Sequence, residues 1–203
     1  MNILFLLLCL IPQSVDTLWT VEFASQPSGW IAGPYWEYTD ESIYLYLRCL
    51  GKCKSSIEDI FSSPEYVVPL SADSLVLLFD HYWWGYGVSV HLWDWARSTS
   101  TLYMYSSSPP YAIELWEIAD SCGGEYYDDY SFIDSGSVSI PLPGILAGDT
   151  LSFTFRGLVE SYMHAVGTWA EANIEWDIYT FSILSYPSVT LEHSTWGMIK
   201  ASF

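Results

Sequence analysis

The chain has 203 residues, of which 51% are hydrophobic and 18% aromatic, and its 24 acidic and 6 basic residues give a formal net charge of −18. This apolar content is enough to bury a core, and it excludes a disordered chain, which needs the opposite balance. The acidic excess repels phosphate groups, so it excludes nucleic acid and anionic membrane surfaces as partners.

The N-terminal segment predicts export. The apolar run from Ile3 to Ile11 is too short to span a bilayer and has the length of a signal-peptide core, with polar Gln13 soon after it. We therefore expect residues 1–17 to be a signal peptide and the mature chain to start near Leu18, the alternative being a buried N-terminal strand. No later stretch has the length of a membrane span, so a secreted or cell-surface protein is expected.

The rest of the chain predicts strands nearly throughout. Short segments rich in β-branched and aromatic residues recur at roughly ten-residue spacing between clusters of Pro, Gly, Ser and Asp, which is typical of a β-sandwich or barrel. The predicted strands are Leu18–Phe23, Ser42–Leu50, Glu65–Pro69, Ser74–Tyr82, Gly87–Ala96, Thr101–Ser106, Tyr111–Ile118, Gly136–Pro141, Thr150–Leu158, Glu171–Leu184 and Ser188–Glu192. Only Ser55–Phe61 and His164–Ala172 have a weakly helical pattern. We expect one β-sandwich domain in residues 18–186 and a C-terminal strand or tail in residues 187–203.

Two cysteines lie close together after a predicted strand. Cys49 and Cys53 flank Gly51, where the chain can reverse, so we expect a disulfide between them across the mouth of a hairpin. Two free thiols and a metal site are the alternatives, although a metal needs more soft ligands than Cys122 adds. Cys122 is then left as a free thiol or as a link to another chain.

Alternation along the strands separates two sets of side chains. The aliphatic set, expected to meet in a core between two sheets, includes Ile43, Leu45, Leu47, Val88, Val90, Leu92, Leu102 and Met104. The aromatic and polar-tipped set, expected on the opposite face, is Tyr44, Tyr46, His91, Trp93, Trp95, Tyr103 and Tyr105. Flat rings with hydrogen-bonding edges stack on sugars or anchor a protein partner, so this set is the candidate binding surface. The alternative is that these rings only cover the sheet.

An acidic stretch is the candidate metal site. Asp128, Asp129 and Asp134 lie in a segment that we expect to be a loop, and carboxylates are ligands that calcium prefers. The spacing matches no known calcium motif, so a solvated acidic loop is the alternative. No other cofactor is predicted.

Catalysis is not expected. The four histidines have no metal-ligand spacing, and the chain contains neither a Gly-x-Ser-x-Gly motif nor a phosphate-binding glycine loop. The acidic residues do not single out one acid and one nucleophile.

Several segments resemble one family of modules. Ser71–Trp83, Gly87–Trp93, Gly148–Arg156 and Trp176–Ser182 resemble strands of the jelly-roll β-sandwich modules of secreted bacterial proteins, among them carbohydrate-binding and MAM-type adhesion domains. The resemblance implies a jelly-roll-like antiparallel sandwich with a binding function. Ser194–Phe203 looks like the C-terminal tails of some exported bacterial proteins, which implies surface display.

Two functions are compatible with these observations. The favoured one is a structural subunit of an extracellular filament, sheath or surface layer, in which a strand such as Leu18–Phe23 completes the sheet of a neighbouring copy or of another surface protein. The chain is little more than one sandwich, with no catalytic domain for a binding module to serve. The alternative is a monomeric module that stacks glycan on Trp93, Trp95, Tyr103 and Tyr105.

Overall fold

The regular secondary structure of the described residues consists of β-strands alone, most of which alternate between buried and exposed residues. A computed structural model describes residues 15–186, apart from 52, 53, 73, 108, 109 and 167. The strands are β1 (Asp16–Glu22), β2 (Ile31–Ala32), β3 (Trp36–Tyr38), β4 (Ile43–Leu50), β5 (Lys54–Ser62), β6 (Tyr66–Val67), β7 (Ser74–Ser89), β8 (Trp95–Ser107), β9 (Pro110–Gly123), β10 (Asp128–Leu142), β11 (Thr150–Tyr162) and β12 (Ala170–Tyr186). The predicted all-β class is confirmed.

The strands form two six-stranded antiparallel sheets. Sheet A has the order β10-β7-β12-β4-β3, with β1 also paired to β12. Sheet B has the order β2-β5-β11-β8-β9, with β6 also paired to β11. The two sheets pack against each other as a jelly-roll-like sandwich, as predicted.

The core lies between the two sheets. Its largest fully buried side chains are Phe23, Phe61, Phe79, Trp83, Phe153, Phe155, Trp176 and Phe181, together with aliphatic residues of β4 and β7. Burying one such side chain contributes about 1.5–3 kcal/mol to folding. The predicted inward positions of β4, β8 and β11 are confirmed, since Leu45, Leu102 and Phe153 are all buried.

Two glycines let large inward rings lie across β7. A Cβ atom on Gly85 would come within 2.1 Å of the Trp83 ring, and one on Gly87 would come within 2.1 Å of the Tyr130 ring. Trp83 Nε1 also donates a hydrogen bond of 2.8 Å to Ser100 Oγ in sheet B. The glycines therefore allow β7 to continue as one strand while its odd-numbered residues pack into the core.

The predicted strand Gly87–Ala96 is wrong. Gly87–Ala96 is not a single strand, because the chain leaves β7 after Ser89 and turns where the Asp94 N–H donates to the His91 carbonyl at 2.8 Å. Val88 lies on the outer face of β7 and Ser89 is buried, the reverse of the expected alternation.

The predicted helical segments are also corrected. Ser55–Phe61 lies within β5, where it pairs with β11, while residues 164–166, 168 and 169 lie outside any strand and Ala170–Ala172 open β12. Pairing with neighbouring strands overrides the weak helical spacing of Ser55–Phe61 and of Ala170–Ala172.

The predicted hairpin at the cysteines is wrong, because β4 belongs to sheet A and β5 to sheet B. Cys49 is a free buried thiol whose Sγ lies 3.2 Å from Ser161 Oγ, so the structure holds no disulfide at Cys49; Cys53 lies outside the described residues. Burial raises the pKa of the Cys122 thiol to about 11, and the same burial keeps Cys122 from linking to another chain.

Both chain ends carry predictions that the structure does not describe. Residues 1–14 of the predicted signal peptide, the predicted strand Ser188–Glu192 and the whole tail of residues 187–203 lie outside the described residues. β1 starts at Asp16, just before the predicted mature start. Within the described residues, no helix has the length and apolar character needed to cross a bilayer.

We expect Gly85→Ala to lower the free energy of unfolding by about 1–3 kcal/mol, because the added methyl group would overlap the Trp83 ring. Urea unfolding followed by fluorescence measures the change. Ser139→Ala, at an exposed site of β10, is the control and should change stability by less than about 0.5 kcal/mol. Equal unfolding midpoints for Gly85→Ala and wild type would contradict this packing.

Candidate functional site

An aromatic column runs along the outer face of β7. Tyr82, Trp84 and Tyr86 alternate with buried residues, so all three point away from the core and are half-buried. The rings of Trp84 and Tyr86 are stacked, with centroids 6.0 Å apart and planes 21° apart. Trp84 Nε1 donates a 3.1 Å hydrogen bond to Ser131 Oγ on β10. The indole is therefore held in one orientation on the surface.

A second aromatic column lies on the outer face of β4. Tyr44 is half-buried, and Tyr46 is 41% exposed. Both were predicted to face outward from the alternation of this strand, and the structure confirms that orientation. Together with the β7 column they form what we call the aromatic platform, which consists of Tyr44, Tyr46, Tyr82, Trp84 and Tyr86.

A polar column separates the two aromatic columns. It is the outer face of β12, which pairs with β4 on one side and β7 on the other, and it consists of Glu171, Asn173, Glu175 and Asp177. The register forms cross-strand rows, which are Tyr44-Asp177-Tyr82, Tyr46-Glu175-Trp84 and Arg48-Asn173-Tyr86. Successive rows lie about 7 Å apart along the strands. Two of the rows thus place a carboxylate between two aromatic rings.

Hydrogen bonds hold one end of the polar column in place. Arg48 Nε donates to Glu171 Oε1 at 2.7 Å, and Asn173 Nδ2 donates to the same oxygen at 3.0 Å. The Tyr46 hydroxyl donates to Asn173 Oδ1 at 3.4 Å. This network fixes the side chains before any ligand arrives, which lowers the entropy that binding would cost.

The other end of the column is strongly negative. Asp177 accepts a 2.6 Å hydrogen bond from Ser42 Oγ, yet burial still raises its pKa. Burial and the neighbouring Asp177 raise the pKa of Glu175. Burial, followed by the charges of Glu175, Asp177 and Glu37 and the nearby Tyr46, raises the pKa of Tyr44 to about 12. The three raised pKa values show that this end of the column disfavours the negatively charged forms of Tyr44, Glu175 and Asp177.

An open groove of about 480 Å³ lies at this negative end, and we call it the tyrosine groove. It is lined by Pro34, Tyr35, Glu37, Tyr44, Tyr46 and Glu175. Its rim is anchored through the Tyr35 N–H, which donates a 2.7 Å hydrogen bond to the Asp59 carboxylate. A further open hollow of about 400 Å³, lined in part by Ser42, Asp177 and Tyr179, lies beyond the last row.

The structure does not bring the predicted aromatic set onto one surface. Tyr44 and Tyr46 lie on sheet A, while Trp95, Tyr103 and Tyr105 lie on the outer face of sheet B. His91 and Trp93 lie in the turn between β7 and β8. The outer faces of the two sheets point in opposite directions, so these groups cannot contact one small ligand together.

The outer face of sheet B has the character of a covering surface. The Trp95 ring is stacked on Tyr162 with centroids 6.2 Å apart. Arg156 and Glu58 form a two-point ion pair, with both hydrogen bonds 2.8 Å long. The Trp95 ring and the charges of Arg156 and Glu58 therefore already have partners on the sheet itself.

Sequence reasoning missed the β7 column. The signal was the alternation Tyr82-Trp83-Trp84-Gly85-Tyr86, which has period two. The predicted strands stop at Tyr82 and start again at Gly87, whereas Gly85 and Gly87 both lie within β7, where they make room for the Trp83 and Tyr130 rings. The polar column was missed because its role depends on which strands flank β12.

The three predicted calcium ligands do not come together. Asp128 and Asp129 open β10, where the Asp128 carboxylate accepts a 2.8 Å hydrogen bond from the Gly123 N–H. Asp134 lies six residues further along the strand, about 20 Å away, where its Oδ2 is 3.3 Å from His81 Nε2. The segment is a strand rather than the expected loop, and within the described residues no group of three His, Cys, Asp or Glu side chains is placed to hold a metal.

The solved structures similar to this chain include three carbohydrate-binding modules. TmCBM27, described for specific mannan recognition, has a TM-score of 0.40 and 12% identity over 86% of this chain and 99% of that chain. The CBM22-1 xylan-binding domain of Xyn10C from Paenibacillus barcinonensis has a TM-score of 0.37 and 12% identity over 87% and 99%. CBM28, specific for non-crystalline cellulose, has a TM-score of 0.33 and 11% identity over 82% and 92%. Neither a protein-family model nor a curated protein matches the sequence.

We expect Glu175→Gln to be more stable than wild type at pH 7 by less than about 1 kcal/mol, since the site is open to solvent. The raised pKa means that the charged Glu175 carboxylate is less stable in the folded chain than in the unfolded chain. This loss of folding stability is fully present above the folded pKa. It vanishes below the ordinary value of 4.5, where Glu175 is protonated in both states. Thermal melts from pH 7 down to about pH 3.5 should show the two stabilities converge. A constant difference over this range would contradict the assignment.

Proposed function

We propose that this chain is a non-catalytic glycan-binding module whose ligand lies across the outer face of sheet A. The observation that carries the proposal is the register of the site, in which the aromatic platform flanks the polar column in successive rows. Tyr and Trp rings stack on the apolar faces of sugars, and the carboxylate and amide groups between them hydrogen-bond to sugar hydroxyls.

The shape of the site favours an extended chain over a small isolated ligand. The rows repeat along the strands without an enclosing wall, and the tyrosine groove continues from one end of them. Several sugar units of one polymer could therefore contact successive rows. The acidic polar column makes an anionic polysaccharide unfavourable.

The arrangement supports binding rather than hydrolysis. Glycosidases place two carboxyl groups on either side of the scissile bond. Glu175 and Asp177 instead follow each other on the same face of β12, so both lie on the floor beneath a ligand. A secreted or surface location, predicted from residues 1–17, agrees with a glycan partner and forms part of this proposal.

The interpretation as a filament subunit loses one of its structural arguments. It included a terminal strand, such as Leu18–Phe23, that completes the sheet of a neighbouring copy. Most of that segment is β1, which pairs with β12 of its own chain from Asp16 to Glu22. The strand is therefore already used within the sandwich.

We expect Trp84→Ala to weaken binding to a soluble polysaccharide by at least about tenfold, because it removes the central ring of the β7 column. Affinity gel electrophoresis against soluble mannan, xylan, mixed-linkage glucan and glycol chitosan identifies a ligand, and isothermal titration calorimetry then measures the change.

Tyr103→Ala, on the outer face of sheet B, is the matched control and should bind as wild type does. Absence of retardation by every polysaccharide would overturn the proposed function. A loss of binding in Tyr103→Ala with none in Trp84→Ala would move the site to sheet B.

A further inference from the structure

We propose that the tyrosine groove binds a protonated amino group of the glycan, so that the module prefers chains of glucosamine units to neutral glycans. This inference rests on the proposed function and specifies its ligand class.

The groove combines aromatic faces with carboxylates. Tyr44 lies between Glu37 on β3 and Asp177 on β12, and Tyr46 pairs with Glu175. Tyr35, 48% exposed, completes the rim. An ammonium group is attracted both to the faces of aromatic rings and to carboxylates, and this groove presents the two together.

No protein cation neutralises these carboxylates among the described residues. Arg48 is the only basic side chain that the described strands place on this face, and Glu171 already holds it through a 2.7 Å ion pair. Glu37, Glu175 and Asp177 therefore have no basic partner among the described residues. The charge complements a cationic ligand and repels an anionic one.

The electrostatics of the groove support the same ligand. Burial raises the pKa values of Glu175, Asp177 and Tyr44, that of Tyr44 to about 12, and for Glu175 and Tyr44 the repulsion of neighbouring negative charges adds to the effect of burial. A bound ammonium group would relieve this repulsion. A neutral hydroxyl group would leave it in place.

The site also favours an amino sugar over a lysine side chain of a protein. The aromatic platform continues beyond the groove to Trp84 and Tyr86, where ring stacking requires further flat units rather than a flexible alkyl chain. The Asp59 contact with the Tyr35 backbone holds the rim in place without a ligand.

The experiment compares hexamers of glucosamine, N-acetylglucosamine and glucose by calorimetry at about pH 5.5, where the glucosamine amine is protonated. We expect the glucosamine hexamer to bind at least about tenfold more tightly than the other two, as for hydrogen bonds to charged groups. The preference should shrink in high salt and disappear at about pH 9.

Glu37→Gln and Glu175→Gln should each reduce this preference severalfold. Glu117→Gln, an exposed change on the outer face of sheet B, alters the net charge by the same amount and should leave the preference intact. This control separates the groove from general attraction of a polycation to an acidic protein.

The two proposals fail in different ways. Equal binding of the glucose and glucosamine hexamers would overturn the amine site and leave glycan binding standing. An equal loss of preference in all three variants would also overturn the amine site. If none of the three hexamers binds while a soluble polysaccharide does, the amine site is overturned and glycan binding stands. If neither a hexamer nor a polysaccharide binds, glycan binding itself is overturned.

Discussion

The contact of Trp83 with Gly85 is the interaction on which the outer face of sheet A depends. The ring lies where a side chain at position 85 would otherwise stand, and its indole nitrogen bonds to Ser100 in the opposite sheet. β7 pairs with β10 without a register shift from Leu75 to Ser89, and its odd-numbered residues face the core over this length. Because side chains alternate along a strand, holding Trp83 in the core forces Tyr82 and Trp84 onto the surface. The aromatic column of β7 is thus the reverse side of a core contact.

The two outer faces differ in whether their charged groups have partners of opposite charge. On sheet B, the charges of Arg156 and Glu58 satisfy each other, and Trp95 is stacked on a neighbour. On sheet A, Glu175 and Asp177 lie between aromatic rings without a cation beside them among the described residues, and their pKa values are raised. The charged carboxylates of Glu175 and Asp177 lower the stability of the fold slightly. Under the proposed function, a cationic ligand group that binds beside them would offset this loss of stability.

The alternation of residues along single strands was sufficient to predict much of the fold. The alternation of β4, β8 and β11 correctly separated Leu45, Leu102 and Phe153 from their outward neighbours, and Tyr44 and Tyr46 were found in this way. The pattern failed where a residue's role depends on a distant partner. Gly85 and Gly87 indicate turns in isolation, and only the Trp83 and Tyr130 rings show why they lie in a strand. Asp134 was likewise placed in an acidic loop, although strand pairing with β7 puts it beside His81.

The sequence by itself determined that the chain is a β-sandwich with separate aliphatic and aromatic faces, because alternation is a local property of each strand. Its acidic excess also predicts that phosphate-bearing partners are repelled. Only the tertiary structure decided which aromatic residues share a surface. Sheet membership depends on long-range pairing, which placed Tyr103 and Tyr105 on one side of the molecule and Tyr44 and Tyr46 on the other. The position of β12 between β4 and β7 then brought carboxylates from the end of the chain between rings from its first half, and no spacing along the sequence records that neighbourhood.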